Sequence, residues 1–136
     1  FCMKKRVVVF GIFDGIHEGH RSLFLQAKEY GDELAVIVGR DSASLRLKEK
    51  KPKHGEEERL RLVLQEEGVD VAILGDEEQS SYQMLKDLNP DVICLGYDQN
   101  ALRQDLDASL VKEGRKIPLI MLNPHKEHEH HNSLYQ

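Results

Sequence analysis

Five short apolar runs, separated by polar stretches with helical spacing, constrain the fold of this chain more than any other feature. The first run, 5–11 (KRVVVFG), places four β-favouring apolar residues in succession, which suits a strand covered on both faces. Similar runs occupy 33–39, 69–75, 91–96 and 117–122. Helical patterns lie between them at 18–31, 56–68, 80–89 and 100–114. This alternation predicts an α/β fold built on a doubly wound, five-stranded parallel sheet.

Size and composition predict one domain over 1–136, with an irregular polar tail at 123–136. Hydrophobic residues make up 40% and charged residues 32% of the chain, which is typical of a soluble globular protein. We expect no membrane association, because no apolar run approaches the roughly 18 residues of a membrane span. The first ten residues also lack the apolar region of a secretory signal. A net charge of −5 argues against a nucleic-acid partner.

Cysteine usage favours a reducing compartment. The chain has only two cysteines, Cys2 and Cys94, and Cys94 lies inside the apolar run 91–96 (DVICLG), where an inert buried thiol is expected. Two such cysteines do not form a disulfide framework. We therefore expect a cytoplasmic protein.

Three clusters of unusual residues each follow a predicted strand. The stretch 11–20 (GIFDGIHEGH) follows the first strand, a lysine-rich segment at 40–55 follows the second, and 96–100 (GYDQN) follows the fourth. Doubly wound sheets bind ligands outside the carboxyl ends of their strands, where the strand order reverses. We therefore expect the three clusters to meet at one edge of the sheet and to form a binding site.

The first cluster combines residue types that suit a phosphate group. Gly11 and Gly15 permit tight turns and a close approach of the backbone to a ligand. Gly19 opens the following helix, whose N–H groups and dipole favour an anion. His17 and His20 are neighbours at i, i+3 and can donate N–H groups to one anion together. Such an arrangement stabilises charge during a displacement at phosphorus without a covalent intermediate.

Other interpretations of this cluster remain open at the level of sequence. Asp14 either binds Mg²⁺ or holds the loop through backbone amides. Two histidines three residues apart also occur in zinc sites, although no cysteine or third histidine lies nearby in sequence. A dinucleotide-binding turn is disfavoured, because the stretch lacks the G-x-G-x-x-G spacing.

The second and third clusters also have two interpretations each. The second contains four lysines, Lys48, Lys50, Lys51 and Lys53. They suit contact with a polyanion, but a solvated basic loop produces the same pattern. In the third cluster, Tyr97 either stacks on a nucleotide base or packs against a neighbouring helix. Asp98 or Gln99 would then read the edge of that base.

The stretch GIFDGIHEGH resembles the G-T-F-D-x-x-H-x-G-H signature of the cytidylyltransferase-like nucleotidyltransferases, with Ile12 where threonine is commonest. The resemblance implies a Rossmann-like architecture and transfer of a nucleoside monophosphate from a nucleoside triphosphate to a phosphorylated acceptor, with release of pyrophosphate. It also implies a divalent cofactor, Mg²⁺, and a homodimer. His17 and His20 would act in catalysis. The signature positions that would bind the nucleotide are Gly11, Ile12, Phe13, Asp14 and Gly19.

The resemblance extends to the other two clusters. The stretch LRLKEKKPKHGEEERL is similar to the family's lysine segment, in which Lys48 and Lys50 would contact phosphates and Arg59 would support the site. The stretch DVICLGYDQN is similar to the fourth-strand exit of archaeal-type FAD synthases, which implies ATP and FMN as substrates. CTP with glycerol 3-phosphate is the second pair. The binding residues implied at this exit are Gly96, Tyr97, Asp98 and Gln99.

The sequence departs from the family pattern near its end. Family members carry a helix start such as R-T-x-G-I-S-T or S-S-S-x-I, whereas this chain has HHNSLYQ at 130–136. Ser133 matches one position and would bind phosphate, but the family's arginine has no clear counterpart. His130 and His131 either supply part of these contacts or belong to a solvated, histidine-rich tail that binds metal only adventitiously. This departure supports a second hypothesis, a nucleotide-binding module with little turnover. A third hypothesis is a scaffold that dimerises through its sheet edge or through the helices near the site.

Overall fold

Strands and helices alternate along the part of the chain that the computed structural model describes, residues 5–42, 53–77 and 82–124. The strands are β1 (Arg6–Gly11), β2 (Glu33–Val38), β3 (Val71–Leu74), β4 (Val92–Leu95) and β5 (Leu119–Met121). The helices are α1 (Glu18–Lys28), α2 (Glu56–Leu64), α3 (Gln83–Leu88) and α4 (Asn100–Lys112). Each element lies within or close to the range that the sequence pattern predicts.

The strands form one parallel sheet in the order β3-β2-β1-β4-β5, which confirms the predicted doubly wound architecture. β1 and β2 pair along their whole length, from Arg6 opposite Glu33 to Gly11 opposite Val38. The strand order reverses between β1 and β4. Because all five strands are parallel, the segments that follow β1, β2 and β4 leave the sheet at the same edge, as predicted.

The core consists of two apolar layers, one on each face of the sheet. Successive residues of a strand point to opposite faces, so Val7 and Val9 belong to one layer and Val8 to the other. α1 and α2 cover the first layer through Phe24, Ala27 and Val63. α3 and α4 cover the second layer through Leu85, Leu88 and Leu106. Burial on both faces explains why these strands are continuous apolar runs.

Three local predictions were wrong in detail. The pattern 18–31 predicts a helix that Gly31 stops, whereas α1 already ends at Lys28. Gly31 instead allows a close approach of the backbone, because a Cβ there would lie 2.8 Å from the Lys5 carbonyl oxygen. The serines at the start of the helical pattern 80–89 predict a serine cap, whereas the N-cap residue of α3 is Tyr82, which has a left-handed φ of 51°. Asp41 and Ser42 have helical backbone at the start of a segment for which we predicted a loop.

Within the described ranges, none of the helices has the length and apolar character that crossing a bilayer requires. The longest of the helices named above, α4, has 13 residues and carries charged side chains. The predicted irregular tail lies outside the described residues from position 125 onward.

Candidate active site

Two side chains join the strand exits at the carboxyl edge of the sheet. Arg59 of α2 donates to the Ile12 carbonyl, after β1, and to the Gly39 carbonyl, after β2. Gln99, after β4, donates to the Phe10 carbonyl near the end of β1. The first and third predicted clusters and the described ends of the second therefore lie together, while residues 43–52 of the second cluster lie outside the described residues.

His17 begins α1 as its N-cap residue. Its Nδ1 accepts a hydrogen bond from the Gly19 N–H at 3.0 Å, and Nδ1 of His20 accepts one from the His17 N–H at 3.3 Å. This is the reciprocal geometry of a capping box, with two imidazoles in place of the usual hydroxyl and carboxylate. Two orphan N–H groups of the helix start are satisfied by the histidines themselves.

The two imidazole rings stack on each other, with centroids 3.9 Å apart and an angle of 29° between their planes. The i, i+3 spacing of the two histidines predicts that their side chains are neighbours. A neutral imidazole that accepts at Nδ1 carries its proton on Nε2. The capping box therefore sets the same tautomer in His17 and His20, with an N–H donor at the Nε2 position of each ring.

Gly19 and Gly11 are required by the rings that pack on them. A Cβ on Gly19 would lie 2.8 Å from Cε1 of His17, and one on Gly11 would lie 2.5 Å from Cζ of Phe13. The sequence predicts that Gly11 permits a tight turn and that Gly19 opens the helix. Neither prediction includes these contacts with aromatic rings. Both positions leave room for an aromatic ring against the backbone.

Phe13 supports His20 from the core side. Its side chain is 3% exposed, and its ring meets that of His20 edge-on, with centroids 5.0 Å apart. Its φ of 56° is unusual for a bulky residue. Strained backbone of this kind concentrates at functional sites, where the surrounding structure holds it. The buried side chain of Phe13 supports His20, and the predicted nucleotide contact of Phe13 stays a prediction.

Asp14 joins the loop after β1 to the residues before α2. Its carboxylate accepts hydrogen bonds from the backbone N–H groups of Lys53 at 2.8 Å and of His54 at 3.1 Å. Nδ1 of His54 also lies 3.1 Å from the same carboxylate. The Lys53 N–H, with further help from His54, lowers the pKa of Asp14 below its usual value, against the opposing effect of burial. Of the two roles predicted for Asp14, the contacts favour loop holding, through amides distant in sequence.

Arg59 is completely buried and donates to four acceptors in three segments of the chain. In addition to the Ile12 and Gly39 carbonyls, its guanidinium donates to the His54 carbonyl at 3.0 Å and to the Asp41 carboxylate at 2.7 Å. The planar fork of donors on arginine suits several acceptors that converge in this way. Arg59 thus fixes the backbone around the candidate site, and its predicted role towards the substrate stays a prediction.

The third cluster has one polar side chain turned inward and others at the surface. Oε1 of Gln99 accepts from the Gly96 N–H at 2.7 Å, while Nε2 donates to Phe10. Tyr97 is 39% exposed and Asp98 is exposed as well. Burial, with the charge of Asp98, raises the pKa of Tyr97. An exposed phenol at this edge is compatible with stacking, and the predicted stacking on a base stays a prediction.

Three predicted site residues, Lys48, Lys50 and Ser133, lie outside the described residues, as do His130 and His131. Their predicted phosphate contacts stay predictions. Sequence reasoning in turn missed His54 and Asp41, which complete the contacts of Asp14 and Arg59. Neither carries a recognisable motif, and the only available signal was their position at the two ends of the lysine-rich segment.

A metal site does not emerge from the described residues. Within 5–42, 53–77 and 82–124, no group of three or more His, Cys, Asp and Glu side chains is arranged to hold a metal ion. The zinc interpretation of His17 and His20 therefore gains no support, because both Nδ1 atoms are engaged with backbone N–H groups. The Mg²⁺ role of Asp14 stays a prediction.

A doubly wound parallel sheet with a histidine-capped helix start at its switch point defines a class of α/β proteins that bind phosphate groups. The model of the cytidylyltransferase-like family matches residues 8–132. The chain belongs to this family, and it is a nucleotidyltransferase.

The chain is similar to several proteins that are named FAD synthase. It is 41% identical over 128 residues to the FAD synthase of Archaeoglobus profundus, which covers 94% of this chain and 81% of that relative. It is 39% identical over 122 residues to the FAD synthase of Methanosarcina mazei, which covers 90% and 79%. A solved structure, the lipopolysaccharide core biosynthesis protein of Thermoplasma volcanium, superposes with a TM-score of 0.82 at 34% identity, over 91% of this chain and all of that one.

Proposed function

We propose that this chain is an FMN adenylyltransferase, which transfers AMP from ATP to FMN and so forms FAD and pyrophosphate. The observation that carries the proposal is the stacked pair of His17 and His20 at the start of α1. The names of the relatives described above and the GYDQ sequence after β4 support the choice of substrates.

The proposed reaction is a displacement at the α-phosphorus of ATP. A phosphate oxygen of FMN attacks this phosphorus and forms the new P–O bond of a phosphoanhydride. The bond from the α-phosphorus to the bridging oxygen of the β-phosphate breaks, and pyrophosphate leaves with that electron pair. A phosphomonoester has its second pKa near 6, so the nucleophile is already largely ionised at pH 7. The protein therefore needs no general base, and its tasks are to position the reactants and to stabilise charge.

The histidine pair suits both tasks. With Nδ1 of each ring occupied by a backbone N–H, the Nε2–H groups of His17 and His20 serve as donors to the oxygens of the reacting phosphate. The positive end of the α1 dipole adds to this stabilisation. Because Phe13 and Gly19 hold the rings in place, the donors are in position before the substrate binds. Lys48 and Lys50 are proposed to neutralise the remaining phosphate charge.

A divalent cation accords with a nucleotidyltransferase of this family, and we propose Mg²⁺. Mg²⁺ usually keeps several waters and binds through one or two carboxylates together with substrate phosphates. Asp14 does not fit the role of a dedicated ligand well, since three donors already surround its carboxylate. The proposal therefore assigns Asp14 to holding the loops and treats Mg²⁺ as a companion of the nucleoside triphosphate. The predicted homodimer is a separate question, which sedimentation of the purified protein answers.

The test measures pyrophosphate release and product mass for ATP and CTP, each with FMN and with glycerol 3-phosphate, in the presence of Mg²⁺. We expect turnover with ATP and FMN, with FAD as the product. Turnover restricted to CTP and glycerol 3-phosphate would replace the proposed substrates and keep the reaction class. Nucleotide binding without turnover of any pair, seen as a thermal shift, would instead support the non-catalytic module.

A further inference from the structure

The seam between β1 and β4 is the point at which the strand order of the sheet reverses. Along this seam the strands pair at Val7 with Val92 and at Val8 with Ile93, and the pairing stops there. The β1–β2 and β4–β5 pairs on either side of it continue to the carboxyl edge. The Gly39 N–H donates to the Gly11 carbonyl, and the Leu122 N–H donates to the Leu95 carbonyl, both at 2.8 Å. The sheet therefore opens at its middle and stays closed on both sides.

The carboxamide of Gln99 occupies this opening. In a regular parallel ladder with Val8 opposite Ile93, the next hydrogen bonds toward the edge would include one from the Gly96 N–H to the Phe10 carbonyl. Instead, the Gly96 N–H donates to Oε1 of Gln99 at 2.7 Å, and Nε2 of Gln99 donates to the Phe10 carbonyl at 3.1 Å. One side-chain amide is thus inserted between the two backbone groups.

This insertion satisfies both backbone groups while keeping the strands apart. Without it, the Phe10 carbonyl and the Gly96 N–H would either pair directly, which closes the seam, or lose their partners at a half-buried position. Gln99 also is the residue before α4, so the same side chain sets the start of that helix relative to β1. Gly11, the last residue of β1 and the first of the stretch 11–20 that carries His17 and His20, directly follows Phe10.

We propose that Gln99 is a positioning residue that sets the width of the crevice between the β1 and β4 exits, and that it does not read the nucleotide base. Its acceptor and one of its donors are used within the fold, which leaves little capacity for a base edge. The inference rests on the nucleotidyltransferase reaction of the family and not on the choice of ATP and FMN.

Two variants separate the functions of the carboxamide. Gln99→Met keeps the length of the side chain and removes both hydrogen bonds. Gln99→Glu keeps an acceptor for the Gly96 N–H but turns a carboxylate toward the Phe10 carbonyl. Gln104→Met, at an exposed position of α4, is the matched control. The purified full chain is used throughout, and thermal melting verifies that each variant is folded.

The first measurement is amide hydrogen exchange at Gly96, which requires no substrate. We expect at least about tenfold faster exchange at Gly96 in Gln99→Met and near wild-type exchange in Gln99→Glu and Gln104→Met. Unchanged exchange in Gln99→Met together with wild-type kinetics would overturn the proposal, whereas unchanged exchange with a reduced kcat/KM would show that the Gly96 N–H pairs directly with the Phe10 carbonyl and that the seam has closed.

The second measurement compares kcat/KM for ATP and for CTP with the acceptor that the enzyme uses. A positioning role predicts a fall of about tenfold or more for both nucleotides in folded Gln99→Met, with their ratio unchanged within about twofold. A ratio that shifts by tenfold or more would show base reading and overturn the proposal. Wild-type kinetics in Gln99→Met would show that the crevice does not depend on this side chain, with the same consequence.

Discussion

Gly19 leaves space for the ring of His17: a Cβ at position 19 would approach Cε1 of that ring to 2.8 Å and Nδ1 to 3.0 Å. The same Nδ1 accepts the Gly19 N–H. The His17 side chain can therefore fold back over the first turn of α1 only because residue 19 is a glycine.

Gly19→Ala tests this relationship. Alanine is favoured over glycine within a helix by about 1 kcal/mol, so local propensity alone predicts a more stable protein. We expect no net gain, because the His17 ring must move and the loss of its cap costs about 1 kcal/mol, which offsets the helix propensity of alanine. Pyrophosphate release should fall by about 100-fold, as for the loss of one positioned donor. Denaturant unfolding and turnover measure the two effects. Glu18→Ala, the adjacent helical position, is the control and should retain turnover.

His17 has a capping role and a proposed catalytic role, and two substitutions separate them. His17→Ala should lower the free energy of unfolding by about 1 kcal/mol, because the Gly19 N–H loses its acceptor. His17→Ser restores a capping oxygen and should recover most of that stability. Turnover should be lost in both variants, since neither carries an imidazole N–H for phosphate. If His17→Ser were as active as wild type, the catalytic role would be refuted and only the cap would remain.

The layout of the fold was predictable because it depends on local patterns. Continuous apolar runs identified strands buried on both faces, and their alternation with helical patterns implied a parallel sheet. Parallel strands end at one edge, so the meeting of the three polar clusters followed from topology. The neighbourhood of His17 and His20 was equally local, since i, i+3 residues share one face of a helix.

The contacts that organise the site were not predictable in the same way. The burial of Arg59 depends on carbonyls from three segments that converge only in the folded chain. The position of Gln99 depends on how far β1 and β4 separate, and the left-handed backbone of Phe13 depends on packing against His20 and Gly11. Periodicity and propensity carry no information about such long-range geometry.

Arg59→Lys tests the importance of the converging acceptors. Lysine keeps the charge but cannot donate in four directions, so several acceptors lose their partner in a buried position. We expect a loss of about 3 kcal/mol in the free energy of unfolding, which is the range for a broken buried network. Arg61→Lys is the matched control on the same helix, because its side chain is 59% exposed. It should change stability by less than about 0.5 kcal/mol. Chemical denaturation measures the free energy of unfolding of both variants. Equal values for the two variants would contradict the stabilising role assigned to the Arg59 guanidinium.

Asp14→Asn tests the link between the loop after β1 and the residues before α2. The test uses the pH dependence of the stability that this link contributes. Backbone donors, chiefly the Lys53 N–H, lower the pKa of Asp14 in the folded protein below 3.8, its ordinary value. A carboxyl with a lowered folded-state pKa stabilises the fold above its unfolded value, and that stability is lost as the pH falls through the folded value. The advantage of wild type over Asp14→Asn in the free energy of unfolding should therefore be constant near pH 7 and shrink in the acid range, below about pH 4. Denaturant unfolding between pH 7 and pH 2.5 measures it, with Asp107→Asn at an exposed position of α4 as control. An advantage that grew toward acid would contradict the lowered pKa, and no advantage at pH 7 would contradict the loop-holding role.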